Sequence, residues 1–89
     1  MLFRSGDYSK ALSYYEKALE IWQKTLPANH PLLATSYNNI ACIYQSMKEY
    51  SRALSYLERA LDIYQRSLPP NHPNIKSVQR NIEYVKKKL

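Results

Sequence analysis

Glycine and cysteine are almost absent from this 89-residue sequence, and each absence excludes a class of structure. One glycine, and five prolines confined to two short stretches, leave little material for the many tight turns of a β-sheet protein, so we predict an all-α fold. The single cysteine, Cys42, excludes an intrachain disulfide framework and fits a reducing compartment, which we take to be the cytoplasm. No apolar run approaches the ~20 residues of a membrane-spanning helix, so no membrane partner is expected.

Motifs for catalysis and cofactor binding are also missing. A single glycine excludes a glycine-rich phosphate loop, and no Cys/His cluster has the spacing of a metal site. His30 and His72 occupy equivalent places in two copies of one stretch, which favours a structural role. We interpret Cys42 as a small side chain that lines the wall of a surface groove, and not as a reactive thiol. We therefore predict no enzymatic activity, no metal and no cofactor.

What the sequence does contain is an internal repeat with a period of 42 residues. Leu-Pro-Ala-Asn-His-Pro at residues 26–31 returns as Leu-Pro-Pro-Asn-His-Pro at residues 68–73, and the flanking residues match as well. A period of this length is typical of helical-repeat proteins. We predict one domain over residues 1–89.

The repeated hexamer predicts a short corner between two antiparallel helices. A residue before proline disfavours the α conformation, so Leu26 and Leu68 should end helices. Proline is well tolerated at the first helical position, so Pro31 and Pro73 should begin helices, each capped by the preceding asparagine or histidine. The connection is short enough to force its flanking helices into antiparallel neighbours.

Apolar residues at steps of three and four predict about four helices. Residues 1–5 are expected to be the tail of a preceding helix, followed by a turn at Gly6. The predicted helices run from the N-cap Asp7 to about Leu26, from Pro31 to about Ser46, from about Glu49 to Leu68, and from Pro73 to about Lys88.

Two features recur at matching places in the first and third helices. Oppositely charged residues four apart are placed for ion pairs on the outer face. Alanines seven apart allow a close approach of neighbouring helices, and a large residue at Ala60 should overpack that contact. The expected ion pairs are Glu20 with Lys24 and Asp62 with Arg66, and the alanines are Ala11, Ala18, Ala53 and Ala60.

The pattern Tyr37-x-x-Ile40-Ala41-x-x-Tyr44, followed by aromatic and small residues from Tyr50 onward, resembles the tetratricopeptide repeat. The 42-residue period and the Tyr-Asn-Asn-Ile-Ala stretch look specifically like the kinesin light chain type. The resemblance implies antiparallel helix hairpins stacked into a right-handed superhelix. Two departures from the family pattern are Lys48 at a turn that usually has glycine and an altered last helix. The implied parts are a helix tail and second helix (1–30), a complete repeat (31–72) and a capping helix (73–89).

The resemblance also implies a function, the binding of a protein segment in a concave groove lined by the first helix of each pair. Asparagines can hold a peptide backbone, and basic residues on the last helix favour an acidic segment or a terminal carboxylate, as does the net charge of +6. Alternatively, these side chains only keep an exposed helix face solvated. The predicted groove residues are Thr35, Asn38, Asn39, Cys42, Gln45, Lys76, Arg80, Asn81, Tyr84 and Lys87.

Two other functions remain open at this stage. The first helix lacks its expected partner, so its apolar residues should be uncovered, and two chains could associate through them as a homo-oligomer. Nucleic-acid binding by the basic last helix is motivated by charge alone and is not expected. The residues predicted for self-association are Ala11, Tyr15, Ala18 and Trp22.

Overall fold

The computed structural model describes residues 5–89, and from Asp7 onward the side chains as well. Four helices follow one another, and the described residues contain no strand. This confirms the all-α fold. The second and fourth helices have the predicted ends, the third begins one residue later and ends one residue earlier than predicted, and the first begins two residues earlier and ends one residue earlier. The helices are α1 (Ser5–Thr25), α2 (Pro31–Ser46), α3 (Tyr50–Ser67) and α4 (Pro73–Lys88).

The start of the first helix differs from the prediction. Gly6, expected in a turn, lies within α1, and Asp7 lies in its first described turn instead of capping it. Glycine accepts helical angles at a cost of about 1 kcal/mol relative to alanine, so the local sequence permits both states. The carboxylate of Asp7 still lies near the positive end of the helix dipole. The expected tail of a preceding helix falls on residues 1–4, outside the described residues, and on Ser5, which begins α1.

One hydrophobic core runs through all four helices. α2 packs on α1 and on α3, and α3 packs in turn on α4. The contributions are unequal, because α1 places only Leu19 among the buried residues of the described chain. Its Leu12, Tyr15 and Trp22 are partly buried against the core. The largest fully buried side chains are Ile40, Leu57, Val78 and Val85.

The two corners have the same local structure. The imidazole Nδ1 of His30 accepts a hydrogen bond from the backbone N–H of Leu32 at 3.1 Å, and Nδ1 of His72 accepts one from Asn74 at 3.1 Å. Both histidines have extended backbone angles, and proline follows each of them at the first helical position. The histidines are therefore the N-caps of α2 and α4, which confirms the corner predicted from the repeated hexamer.

The turn between α2 and α3 is closed by Lys48, whose φ of 64° lies in the left-handed region. Its backbone N–H donates to the carbonyl of Gln45, and that of Glu49 donates to Tyr44, so the last turn of α2 is satisfied. A side chain with a Cβ atom is disfavoured in this region, and glycine is the usual occupant. This geometry explains why the family pattern usually has glycine at this turn.

The ion pairs and the spaced alanines that α1 and α3 share are both present in the structure, but they have different surroundings in the two helices. The Nζ of Lys24 lies 3.5 Å from the Glu20 carboxylate, and the Nε of Arg66 lies 3.3 Å from that of Asp62. All four side chains are well exposed, so each pair contributes little to stability. The alanines differ more, because those of α3 are buried and those of α1 are half-buried. The buried pair is Ala53 and Ala60, and the half-buried pair is Ala11 and Ala18.

Candidate functional site

The residues predicted to line a groove are all accessible to solvent. They lie on α2 and α4, the two helices that begin at the proline of a corner. Those that are half-buried are Asn38, Asn39, Gln45 and Asn81, and those that are exposed are Thr35, Cys42, Lys76, Arg80, Tyr84 and Lys87.

A shallow depression of about 430 Å³ lies on α4. It brings together Lys76 and Arg80, which were predicted, with Gln79 and Glu83, which were not. The spacing of three, four and seven residues puts these positions on one helix face, a signal present in the sequence. Glu83 places a negative charge beside the two basic residues and so reduces the positive potential of the depression.

The aromatic residue at the end of this face also carries a cation. The Nζ of Lys88 lies 5.4 Å from the centre of the Tyr84 ring, within the range of a cation–π contact. The Tyr84 side chain is 46% exposed, so its ring remains available on one side.

Thr35 is less available than the sequence suggested. Its hydroxyl donates to the carbonyl of Pro31 at 3.2 Å and lies 2.8 Å from the hydroxyl of Tyr64 on α3. A threonine hydroxyl has one hydrogen to donate, and here the helix backbone takes it. The contact with Tyr64 therefore ties α2 to α3, and little of the hydroxyl's capacity remains for a ligand.

Asn38 has an unsatisfied side chain. Within residues 5–89 its Oδ1 is buried and has no hydrogen-bond partner. Leaving such an acceptor unpaired costs about 1–3 kcal/mol, a cost that a purely structural residue rarely carries. The terminal torsion of asparagine is soft, so the amide can turn about it.

Cys42 is exposed at the surface of α2. The protein atoms around the thiol nevertheless desolvate it enough to raise the pKa of Cys42 above its ordinary value. A raised pKa lowers the thiolate fraction at neutral pH, which makes the thiol a poorer nucleophile.

The apolar residues of α1 differ in how far they are covered. Tyr15 and Trp22, predicted for self-association, are partly buried and pack against the core. The large side chains left exposed on this helix are Tyr14, 71% exposed, and Ile21, 58% exposed. The other two predicted residues, Ala11 and Ala18, are half-buried. Periodicity alone did not separate the two faces, because apolar residues cover more than one stripe of α1.

A further cluster, not anticipated from the sequence, lies where α2 meets α3. The rings of Tyr44 and Tyr56 are stacked with centres 5.6 Å apart, and the ring of Tyr37 lies 5.9 Å from that of Tyr56 in a tilted contact. The hydroxyl of Tyr37 also accepts a hydrogen bond from Nε2 of Gln23 on α1 at 3.1 Å. Desolvation, reinforced by Tyr44, raises the pKa of Tyr56 above its ordinary value.

Two arginines of α3 lie over this cluster. The Cζ of Arg52 is 5.7 Å from the centre of the Tyr44 ring, and that of Arg59 is 5.8 Å from the centre of the Tyr37 ring. A side-chain hydrogen bond with Tyr44, and secondarily the charge of Glu49, raises the pKa of Arg52. Together with Ser55, these arginines line a depression of about 280 Å³.

A model of the tetratricopeptide repeat matches residues 1–66, most of the chain. The chain belongs to the tetratricopeptide-repeat family. The match ends within the last turn of α3 and does not include α4. No curated protein gives a significant match.

Membership of the tetratricopeptide-repeat family gives the site a general meaning. Such repeats generally mediate protein–protein interactions and are typically non-catalytic. Residues 5–89 bring no three His, Cys, Asp or Glu side chains together as a metal site. None of the described helices combines the length and apolar character needed to cross a membrane.

Proposed function

We propose that this tetratricopeptide-repeat chain binds an acidic protein segment along α2 and α4. The observation that carries the proposal is the depression on α4 that joins Lys76 to Arg80. The five basic residues of the last helix, less the charge of Glu83, give it +4 of the net charge of +6, so the positive field is concentrated at this end of the chain. Such a field accelerates the encounter with an acidic partner and favours it over a basic one.

The polar residues of α2 support the same proposal. The unpaired Oδ1 of Asn38 is an acceptor whose cost is recovered when a peptide N–H reaches it. Asn39 and Asn81 are half-buried and occupy equivalent positions 42 residues apart, so the two helices offer the same amide group. Each amide can donate to a peptide carbonyl and accept from a peptide N–H. The asparagines would hold the backbone of the segment, and the cations would select its acidic side chains.

The decisive experiment compares acidic and basic peptides of equal length in calorimetric titrations at low and physiological salt. We expect the acidic peptide to bind more tightly, with an affinity that falls as salt rises. Arg80→Glu should weaken binding about tenfold or more, because it replaces an attractive charge with a repulsive one. Arg66→Glu is the matched control, since Arg66 is an exposed arginine outside the proposed groove. Equal affinity for both peptides would contradict the electrostatic part of the proposal.

A second candidate function is self-association through α1. The exposed side chains of Tyr14 and Ile21 favour it, because they are large, apolar and two turns apart on one helix face. Molar mass from light scattering over a concentration series tests it, and Ile21→Lys should abolish any dimer. A stable monomer at every concentration would remove this candidate.

We further propose that the repeats are of the kinesin light chain-like type and that the module acts in the cytoplasm. The 42-residue period and the two matching corners support the first statement. If residues 31–72 are the true unit, inserting a second copy of them should give a folded, longer array with a higher melting temperature. The single thiol supports the second statement, and a fluorescent fusion retained in a secretory compartment would contradict it.

A further inference from the structure

One polar pattern recurs in the two copies of the repeat and is not used by the proposed groove. A basic residue, then Ser-Tyr three residues on, then a second basic residue seven residues from the first, appears at Lys10–Lys17 and again at Arg52–Arg59. Each copy lines a surface depression, about 400 Å³ on α1 and about 280 Å³ beside α3. The pattern and a depression beside it therefore occur in both copies of the repeat.

The copy on α3 has its cations held in place by aromatic rings. Arg52 lies over Tyr44 and Arg59 lies over Tyr37, and the ring of Tyr56 is stacked on Tyr44 and makes a tilted contact with Tyr37. The arginines are seven residues apart, about 10.5 Å along the helix, and share one face. Their long side chains flank the hydroxyl of Ser55 in the same depression. Each guanidinium has five N–H donors, more than its contact with one ring can occupy.

The charge of these two arginines is poorly compensated. Within residues 5–89 Arg59 forms no ion pair, and Arg52 has only a 4.0 Å approach to Glu49. Arg66, farther along the same helix, lies 3.3 Å from Asp62. The other acidic group facing the cluster is Glu16 of α1, whose charge acts on Tyr56. The depression is therefore a place where two cations and a hydroxyl face solvent over an aromatic wall.

We propose that this surface, formed by Arg52, Ser55 and Arg59 over the tyrosine stack, binds the phosphoryl group of a phosphorylated peptide. A phosphoryl group offers three oxygens and nearly two negative charges, so it can accept hydrogen bonds from one guanidinium group and from the Ser55 hydroxyl while the charge of the second arginine in the same depression attracts it. A single carboxylate has two oxygens and one charge, so it satisfies one arginine. Tyr56, which is half-buried and lines the depression, supplies apolar area for a residue that flanks the phosphorylated side chain.

The copy of the pattern on α1 is the weaker candidate for binding a phosphoryl group. Its cations are Lys10 and Lys17, which act as point charges and lack the planar fork that matches phosphate oxygens. Its Tyr14 is 71% exposed, whereas Tyr56 lies in the stack. The preformed aromatic support is therefore a property of the α3 copy among the described residues. The α1 copy provides an internal control of similar sequence and charge.

The test is an NMR titration that follows the guanidinium Nε–Hε resonances of Arg52 and Arg59. The probes are a Gly/Ser peptide with one central phosphoserine, the same peptide unphosphorylated, the same peptide with glutamate at that position, and inorganic phosphate. We expect the phosphopeptide to shift both resonances and to bind about tenfold or more tightly than the glutamate peptide. Arg52→Gln and Arg59→Gln should each weaken binding about tenfold.

Matched variants separate this site from general attraction to a basic protein. Arg66→Gln removes an arginine of the same helix outside the cluster, and Lys10→Gln with Lys17→Gln removes the α1 copy. Both controls should change the affinity less than twofold. Arg59→Lys keeps the positive charge but loses the planar, forked guanidinium group. Its affinity for the phosphopeptide should lie between that of the original protein and that of Arg59→Gln. Circular dichroism checks that each variant is folded, as expected for solvent-facing side chains.

Several results would overturn the proposal. A glutamate peptide that binds as tightly as the phosphopeptide would show that phosphate is not preferred. Inorganic phosphate binding as tightly as the phosphopeptide would reduce the surface to an adventitious anion site. Equal losses in Arg59→Gln and Arg66→Gln would indicate diffuse electrostatic attraction. Because Arg80→Glu leaves this cluster intact, failure of the α4 groove and failure of the phosphoryl site are distinguishable.

Discussion

Helices α1 and α3 carry nearly the same sequence at an offset of 42 residues, yet their burial differs greatly. Ile63 of α3 is 9% exposed, whereas its counterpart Ile21 on α1 is 58% exposed. Ala60 is fully buried, and its counterpart Ala18 is half-buried. The cause is the number of neighbours, because α3 packs on both α2 and α4 while α1 packs mainly on α2. Identical residue types therefore have different energetic weight in the two copies.

A repeat pattern therefore specifies an apolar surface that a neighbouring element has to cover, and it does not specify which element does so. On α3 the apolar pattern is satisfied within the described chain. On α1 the same pattern leaves Tyr14 and Ile21 facing solvent. Since burying apolar area contributes about 25 cal/mol per Å², most of the stability of this chain should come from α2, α3 and α4.

The largest expected difference in stability between the two copies comes from truncating their equivalent isoleucines, Ile63 and Ile21, one at a time. Ile63→Ala should lower the free energy of unfolding by about 2–5 kcal/mol, because it leaves a cavity in the core. Ile21→Ala should change it by less than about 0.5 kcal/mol, since the side chain is already mostly in water. Chemical denaturation of both variants measures the difference. Equal losses would mean that α1 is covered in solution, for example by a second chain.

A smaller effect is expected from enlarging the paired alanines. Ala60→Leu should overpack the contacts of α3 and cost about 1–3 kcal/mol. Ala18→Leu should cost clearly less, because α1 has room to shift against its single neighbour. Thermal melts of the two variants provide the comparison. A larger loss of stability for Ala18→Leu than for Ala60→Leu would contradict the greater burial of α3.

The smallest effect should be the same in both copies. His30→Ala and His72→Ala each remove an N-cap acceptor and should each cost about 1 kcal/mol. Asparagine at either position keeps an acceptor and should restore most of the loss. Denaturation curves of the four variants test whether the capping energy is local. A large difference between the two alanine variants would show that tertiary contacts dominate even at the corners.

Much of the fold followed from the sequence because the signals were local. The prolines at Pro31 and Pro73 fixed the starts of α2 and α4, since proline limits the conformation of its own residue and the one before it. The error at Gly6 had the opposite origin, because glycine constrains its own backbone least of all residues. The depression that joins Lys76 to Arg80 was within reach of the helical spacing alone, which also puts Glu83 on this face, although Glu83 was not among the predicted groove residues.

The helices, their corners and the period that relates them are encoded locally in the sequence, because capping and proline effects act over a few residues. The covered face of α1, the unpaired oxygen of Asn38 and the contacts of Arg52 and Arg59 with the tyrosine rings are visible only in the folded chain. Those properties depend on which helices lie side by side. That information is distributed over contacts between residues far apart in the chain, where no local pattern records it.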